Sequence, residues 1–316
     1  MAERGDNNFI RYVYRGEEGE IIPREATHIT VHKDCTFVRA RAFYWHENIV
    51  EVICHENVER IKEYAFANCP SLRRVVMPGV RIIEQWAFEE CSCLKDVECG
   101  KLEIIQTEAF SDCYFLRGID LQSIRIVGQY AFDGCKSLKD VEFGSKLEQF
   151  FGRRAFGGCK SLERITIPLK DGLITTHDIF IQCHNLKHID LVEGALHETI
   201  AALHLEEWRN DMNIEIDSIN QILPNARAGG WDDDSGDYGE YDEGEKAQMI
   251  RRWIRSVLQK IIHYQAEHES LLNQAATHLQ LILPQDLIIN NVLPFLQLPS
   301  HSFEVEDESD EEEDDN

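Results

Sequence analysis

Residues 83–98 read IEQWAFEECSCLKDVE, and the pattern of this stretch returns along much of the chain. Its landmark is Phe88, which follows an alanine and precedes a cysteine, a leucine and a valine by three, six and nine residues. The positions of the alanine–phenylalanine pair, the cysteine, the leucine and the valine keep nearly the same spacing in seven copies of the stretch. Such a regular spacing identifies an internal repeat, which decides the fold. The landmark aromatic recurs every 22–24 residues, at Phe43, Phe66, Phe88, Phe110, Phe132, Phe156 and Phe180.

Each copy contains a segment in which apolar and polar residues alternate, as in Leu138-Lys-Asp-Val141-Glu-Phe143. Such alternation is typical of a short strand with one buried face. The segment before each landmark, such as residues 83–88, suits a tight turn or short helix that returns the chain. One unit cannot bury its apolar face alone, so the copies must stack. The sequence therefore predicts an α/β repeat over 27–195, a solenoid with a parallel strand ladder and internal columns of Phe, Cys and Leu.

The unit Ile-x-x-x-Ala-Phe-x-x-Cys-x-x-Leu-x-x-Val resembles the BspA-type leucine-rich repeat (LRR_5). The resemblance extends over about Thr27–Leu191 and departs from the pattern at His46 and Ile179, in the end units, where capping units are expected to deviate. The region from Leu196 onwards, with its acidic tail, is similar to the C-terminal part of such proteins in diatoms and other protists. The resemblance implies a leucine-rich-repeat fold and a binding role, without a known reaction.

After the repeats, the spacing of apolar residues becomes helical. One amphipathic stretch covers 196–223 and stops at Pro224, and a second covers 245–283 with apolar residues at alternating steps of four and three. The acidic linker 224–244 joins them, so we predict a long antiparallel α-helical hairpin over 196–283. Two interpretations are open: the two helices pair with each other and cap the solenoid, or the heptad seam forms a homodimer.

The net charge of −25 is concentrated in two runs. Residues 232–245 contain eight acids and residues 304–316 contain ten, and neither run contains Lys or Arg. Such segments repel themselves and are expected to be disordered, the first in the linker and the second in the tail 300–316. A short apolar segment, 284–299, precedes the tail, and an N-terminal segment, 1–26, precedes the repeats. Phosphates would be repelled, so neither nucleic acid nor an anionic membrane is an expected partner.

The N-terminal residues lack the apolar core of a secretory signal, and no apolar stretch is long enough to span a bilayer. Ten cysteines without an export signal suggest free thiols in a reducing compartment. We therefore expect a cytoplasmic or nuclear protein.

The sequence contains no recognisable motif for metal binding, nucleotide binding or catalysis. Structural zinc ligands usually come as close pairs, whereas the repeat cysteines are 22–24 residues apart. The acidic run 232–237 lacks the glycine that an EF-hand requires at its sixth position. No P-loop, dinucleotide-binding or G-x-S-x-G pattern occurs. We expect no metal, no cofactor and no enzymatic activity.

Two exposed columns run along the predicted ladder, on either side of a buried valine or isoleucine. We expect Asp96, Asp120 and Asp140 to recur at one phase of the repeat, about 5 Å apart per strand. The simplest interpretation is a solvated polar face; the functional one is a shallow acidic surface that steers a basic protein partner. The candidate partner-binding residues are Arg74, Asp96, Glu98, Asp120, Asp140, Glu142 and Arg164.

The sequence as a whole predicts a non-enzymatic module for protein–protein interaction or scaffolding, which recognises its partner through the strand face. Residues 283–296 loosely resemble the opening of an F-box, which suggests an alternative, a substrate-recruiting adaptor of a ubiquitin ligase. A surface adhesin, which the bacterial members of the repeat family suggest, is a further alternative.

Overall fold

The computed structural model describes residues 3–4, 9–150, 152–230, 242, 244–280 and 303. Their helices are α1 to α3, at Ala195–Ala202, Glu206–Ile222 and Lys246–Gln280, and a 3-10 helix at Leu223–Asn225. Their strands, β1 to β15, are Glu3–Arg4, Ile10–Tyr14, His28–Val31, Phe37–Val38, Glu51–Ile53, Arg60–Ile61, Arg74–Val76, Ile82–Ile83, Asp96–Glu98, Ile104–Ile105, Ile126–Val127, Asp140–Glu142, Gln149–Phe150, Arg164–Ile167 and His188–Leu191.

The described residues divide into two compact units. The first contains the repeats, up to Pro168, with Leu173–Val192 and Ile222–Met249. The second contains Leu169–Gly172, Glu193–Gln221 and the described residues from Ile250 onwards.

The first unit is a solenoid whose turns each contribute a strand to a parallel ladder. Strands β2, β3, β5, β7 and β9 pair in parallel in that order, and β1 adds an antiparallel edge. Single bridges from Asp96 to Gly118 and from Leu121 to Phe143 continue the ladder. Strands β12, β14 and β15 then extend it in parallel. We call the solvent side of this ladder the strand face.

A second parallel sheet lies within the same unit. Its order is β4, β6, β8, β10, β11 and β13, so each turn of the solenoid adds one short strand to it. In the first five of these strands the second residue points inward and is fully buried, as at Ile61, Ile83 and Ile105. The two sheets enclose the core because their buried positions recur with the repeat.

The core consists of the columns that the sequence predicts. Successive landmark rings from Phe43 to Phe180 stack at centroid distances of 4.8–6.0 Å. The cysteine column lies beside them, and its members are fully buried. Each thiol donates to the landmark carbonyl of the preceding turn, as in Cys113 Sγ to Phe88 O at 3.2 Å. The thiol is a second donor to this carbonyl, which also accepts a backbone N–H from its own turn, as in Cys91 N–H to Phe88 O at 3.1 Å. The recurrent thiol is therefore small enough for the core and has an acceptor there.

The ladder begins before the predicted repeat boundary at residue 27. Strand β2 pairs with β3 from Arg11 opposite His28 to Tyr14 opposite Val31. The Tyr14 ring lies 5.0 Å from the Phe43 ring, at the start of the aromatic column. Part of the predicted N-terminal segment 1–26 is therefore built into the solenoid.

The ends of the predicted acidic linker also differ from a disordered chain. Gln182 N–H donates to Ala228 O at 2.8 Å, which is the bond that the next repeat would otherwise make. Gly230 and Asp242 form an antiparallel bridge. The ammonium group of Lys246 donates to Leu186 O. These contacts satisfy the backbone groups of the last turn, which a solenoid without a cap would leave open. Residues 231–241 and 243 lie outside the described residues.

The second unit contains an antiparallel pair of helices. The rings of Trp208 in α2 and Tyr264 in α3 stack at 5.2 Å. Further along α2, Asp211 pairs with Lys260 at 2.8 Å, so residues later in α2 meet residues earlier in α3. The predicted helix over 196–223 is two helices, because Leu203 adopts an extended conformation after α1. The predicted order of a parallel-strand solenoid followed by a helical region is confirmed.

Candidate functional site

The strand face presents the acids of β9 and β12 to solvent. Both strands have the sequence Asp-Val-Glu, and in each the valine is buried between two exposed acids. Alternation along a strand sends neighbouring side chains to opposite sides, so one buried valine fixes two outward carboxylates.

The register of the ladder places three acids in line. Asp96 lies opposite Gly118, which puts Glu98 opposite Asp120 two residues further along. Leu121 lies opposite Phe143, which puts Asp120 opposite Glu142. Glu98, Asp120 and Glu142 therefore occupy three successive turns at a spacing of about 4.8 Å. We call these three residues the acidic column.

This register corrects one expectation. Asp96, Asp120 and Asp140 do not share a phase, because Gly118 and not Asp120 lies opposite Asp96. Asp120 falls ten residues after its landmark phenylalanine, whereas Asp96 and Asp140 fall eight after theirs. Asp96 and Asp140 belong to the neighbouring column, on either side of Gly118.

Basic residues lie towards both ends of this face. Arg74 donates to Glu51 at 2.6 Å and to Glu98 at 2.7 Å. These hydrogen bonds raise the pKa of its guanidinium, and the bond to Glu98 has the largest effect. Arg164 pairs with Asp190. Between them, Asp96, Asp120, Asp140 and Glu142 form no ion pair with any described residue. The centre of the strand face therefore carries negative charge that the described residues do not neutralise.

A row of basic residues precedes the exposed acids in the sequence, at Arg73, Lys95, Arg117 and Lys139. Lys139 lies 3.5 Å from Glu163, and Lys95 lies 5.7 Å from the centroid of the Phe115 ring. These two cations are therefore engaged elsewhere than with the acidic column.

The second sheet handles its charges in the opposite way. In β6, β8, β10, β11 and β13, the residue just before the strand alternates in sign from turn to turn. Arg81 binds Glu103 through two hydrogen bonds of 2.9 and 3.0 Å. Arg125 binds Glu148 in the next pair. This alternating column, which the sequence reasoning missed, consists of Glu59, Arg81, Glu103, Arg125 and Glu148.

The thiols of the cysteine column are buried and protonated. Burial raises the pKa of the Cys91, Cys113 and Cys135 thiols, so little thiolate forms at neutral pH. Over the described ranges, no three His, Cys, Asp or Glu residues are grouped so that they could hold a metal ion.

A solenoid with one short ladder strand per turn and an apolar repeat of 22–24 residues defines a leucine-rich-repeat protein. The model of the BspA type leucine-rich repeat region matches residues 24–124 and 103–224, with six copies. The chain belongs to this family.

Solved structures of bacterial leucine-rich-repeat proteins are similar to the chain. A leucine-rich repeat protein of T. pallidum is 22% identical over 60% of this chain and 78% of its own, with a TM-score of 0.40. A leucine-rich cell surface protein of Faecalibacterium prausnitzii is 23% identical over 62% and 55%, with a TM-score of 0.44. A leucine-rich repeat protein of Bacteroides ovatus is 23% identical over 55% and 47%, with a TM-score of 0.45. No curated protein sequence matches.

Leucine-rich-repeat proteins of this kind generally bind other proteins or act in adhesion, and they are typically not enzymes. In the described part of the chain, no helix is both long enough and apolar enough to cross a membrane.

Proposed function

We propose that the protein is a non-enzymatic recognition module whose strand face binds a basic protein partner at the acidic column. The observation that supports this most strongly is the contrast in charge between the two sheets. Three acids stand in successive turns at Glu98, Asp120 and Glu142, and only the first has an ion-pair partner among the described residues. Like charges about 4.8 Å apart repel, so the mutual interaction of the three carboxylates opposes folding, although Arg74 offsets part of it at Glu98.

The expected effect of this surface is on the rate of association. An uncompensated acidic patch attracts a basic partner over several ångströms and accelerates encounter, while adding less to the final affinity. Arg74 and Arg164, which flank the patch, fix the register, because a partner displaced along the ladder would bring its cations against them. A partner with basic residues at its centre and acids at its edges fits this surface best.

The alternatives from the sequence are weaker proposals. The F-box-like segment of the ubiquitin-ligase adaptor lies at 283–296, outside the described residues. A homodimer through α3 conflicts with the burial of Ile250, Val257 and Ile261 within a single chain, so such a seam would begin only near Leu271, which is 41% exposed. An adhesin would place the protein at a cell surface, whereas we propose a cytoplasmic or nuclear protein. An origin among diatoms or other protists is likewise a prediction.

Capture of partners with matched variants tests the proposal. The first variant is Glu98→Gln, Asp120→Asn and Glu142→Gln, and its control is Glu59→Gln, Glu103→Gln and Glu148→Gln. Both remove three negative charges from the solenoid, one from the strand face and the other from the alternating column. We expect quantitative mass spectrometry to show that one basic partner is retained by the wild type and the control and lost from the first variant. Equal recovery with both variants would remove the acidic column from the proposal.

A further inference from the structure

A groove lies outside the strand face, along the turns that follow the landmark phenylalanines. It encloses about 340 Å³ and is lined by residues that follow their landmarks by two positions, namely Trp45, Asn68, Glu90 and Asp112, with Glu47 and Tyr114 beside them. Backbone hydrogen bonds tie the successive turns together, for example Glu90 N–H to Ser111 O at 2.9 Å. From Trp45 to Asp112 the groove therefore crosses four successive turns, a distance of roughly 15 Å.

The groove combines an exposed ring with carboxylates. Trp45 is 62% exposed, whereas a tryptophan is highly buried on average, as the landmark phenylalanines are here. Glu47, Glu90 and Asp112 form no ion pair within the described part of the chain. Lys136 lies 4.0 Å from the centroid of the Tyr114 ring, so one cation stands near the Asp112 end of the groove, whereas Glu47 lies at the Trp45 end.

At another position of the repeat, near the residues that precede the landmark phenylalanines, a ring and a carboxylate already hold a guanidinium. Arg154 lies over the Tyr130 ring, 6.0 Å from its centroid, and its Nε donates to Asp133 at 3.3 Å. The ring, the guanidinium and the carboxylate come from two successive turns. At Trp45 the ring and the carboxylates are present, and no described arginine lies over the ring.

We propose that this groove binds an arginine-containing extended segment of a protein, with one guanidinium on the face of Trp45 beside Glu47 and a second between Glu90 and Asp112. A guanidinium is planar, stacks on aromatic faces and pairs with carboxylates through two parallel hydrogen bonds. An ammonium group can lie over a ring but is a point charge that cannot form these paired hydrogen bonds. The groove has the three carboxylates and the exposed ring that this recognition requires. It is separate from the acidic column, so the two surfaces could contact different parts of one partner or two partners.

The test uses the full-length protein and three synthetic peptides that are acetylated and amidated. The first is GRGRGRG, the second replaces each arginine with lysine, and the third replaces each arginine with the neutral isostere citrulline. Isothermal titration calorimetry at low salt should give a Kd between about 10 μM and 1 mM for the arginine peptide. The lysine peptide should bind about tenfold more weakly, and the citrulline peptide should not bind detectably.

Variants locate the site. Glu90 and Asp112 have φ angles of 54° and 56°, and Trp45 has one of 60°. Asparagine tolerates this left-handed region, so Trp45→Asn and the double change Glu90→Asn with Asp112→Asn keep the backbone. Each variant should weaken the arginine peptide about tenfold and leave the thermal midpoint unchanged or higher. The control is Glu59→Gln, Glu103→Gln and Glu148→Gln, which should bind the peptide as the wild type does. The strand-face variant, Glu98→Gln with Asp120→Asn and Glu142→Gln, is measured beside it.

Three results would overturn the proposal: no binding of the arginine peptide at about 10 mM, equal binding of the citrulline peptide, or loss of binding only in the strand-face variant. The last result would instead favour the acidic column as the site for basic peptides. Failure of the groove leaves the proposed function intact, since partner capture by the strand face is measured with a different set of variants.

Discussion

The two sheets of the solenoid are built from the same repeat, yet they treat charge in opposite ways. In the alternating column, Arg81 lies between Glu59 and Glu103, and its Nε and Nη2 both donate to the Glu103 carboxylate. In the acidic column, Asp120 stands between two glutamates. A repeat stacks equivalent positions at about 4.8 Å. Charged side chains in one column therefore neutralise each other where their signs alternate and repel each other where their signs are the same. Neutralisation of charge in the alternating column stabilises the fold. The acidic column keeps carboxylates that repel each other on an exposed face, which indicates a role in binding.

The largest effect on this comparison is expected from reversing the sign of the alternating column. Arg81→Glu with Arg125→Glu turns five alternating charges into five acids and removes two double-hydrogen-bonded ion pairs. Exposed pairs of this kind contribute up to about 1 kcal/mol each, and like charges opposite each other cost similar amounts. The double variant should lower the free energy of unfolding by roughly 2–3 kcal/mol, measured by urea denaturation at low salt.

The matching glutamine changes, Arg81→Gln with Arg125→Gln, serve as the control because they remove the pairs without adding repulsion. They should show about half of the loss. If the two double variants unfold alike, repulsion between neighbouring turns is negligible and the contrast between the sheets loses its energetic meaning.

A smaller effect of opposite sign is expected in the acidic column. Asp120→Asn with Glu142→Gln removes two charges that have no ion-pair partner among the described residues, and the new amide at 120 can still accept the Gln122 N–H. The thermal midpoint should rise by about 1–3 °C in low salt, and the gain should shrink at 1 M salt, where charges are screened beyond about 3 Å. A lower midpoint would show that these carboxylates stabilise the fold despite their mutual repulsion.

The columns of Phe, Cys and Leu were predictable because each is tied to a fixed distance from the landmark residue and to burial. The alternating column has the same kind of signal, at 15 or 16 residues after the landmark, but a one-residue insertion in the first and fifth copies hides it. The predicted phase of Asp120 was wrong for a related reason, since its neighbour Gly118 carries no side chain to mark the column. The contact of Ala228 with Gln182 spans 46 residues without a repeat, so no periodicity could reveal it.

A further effect on stability, of similar size, concerns a half-buried acid that belongs to neither sheet. Burial raises the pKa of Glu89 to about 6, with Glu108, Glu90 and Asp112 adding to the shift. A carboxyl group whose folded pKa lies above its unfolded value destabilises the fold at pH 7, and this penalty disappears as the pH falls from about 6 to below the unfolded value near 4.3. Glu89→Gln should therefore raise the thermal midpoint on the order of 2 °C at pH 7 and have no effect at pH 4.

Glu103→Gln is the natural comparison for that change. Its partner is Arg81, so its removal should lower the midpoint at pH 7. An equal response of the two variants over the whole pH range would contradict the assignment of the raised pKa to Glu89.

The most direct test of the acidic column is the association rate constant of the captured partner, measured by stopped flow at 20 and 300 mM salt. We expect Glu98→Gln, Asp120→Asn and Glu142→Gln together to slow association about tenfold at 20 mM and much less at 300 mM. The matched change Glu59→Gln, Glu103→Gln and Glu148→Gln should leave the rate at low salt within about twofold of the wild type. Equal rates for the two variants at both salt concentrations would contradict the claim that the acidic column is retained for binding.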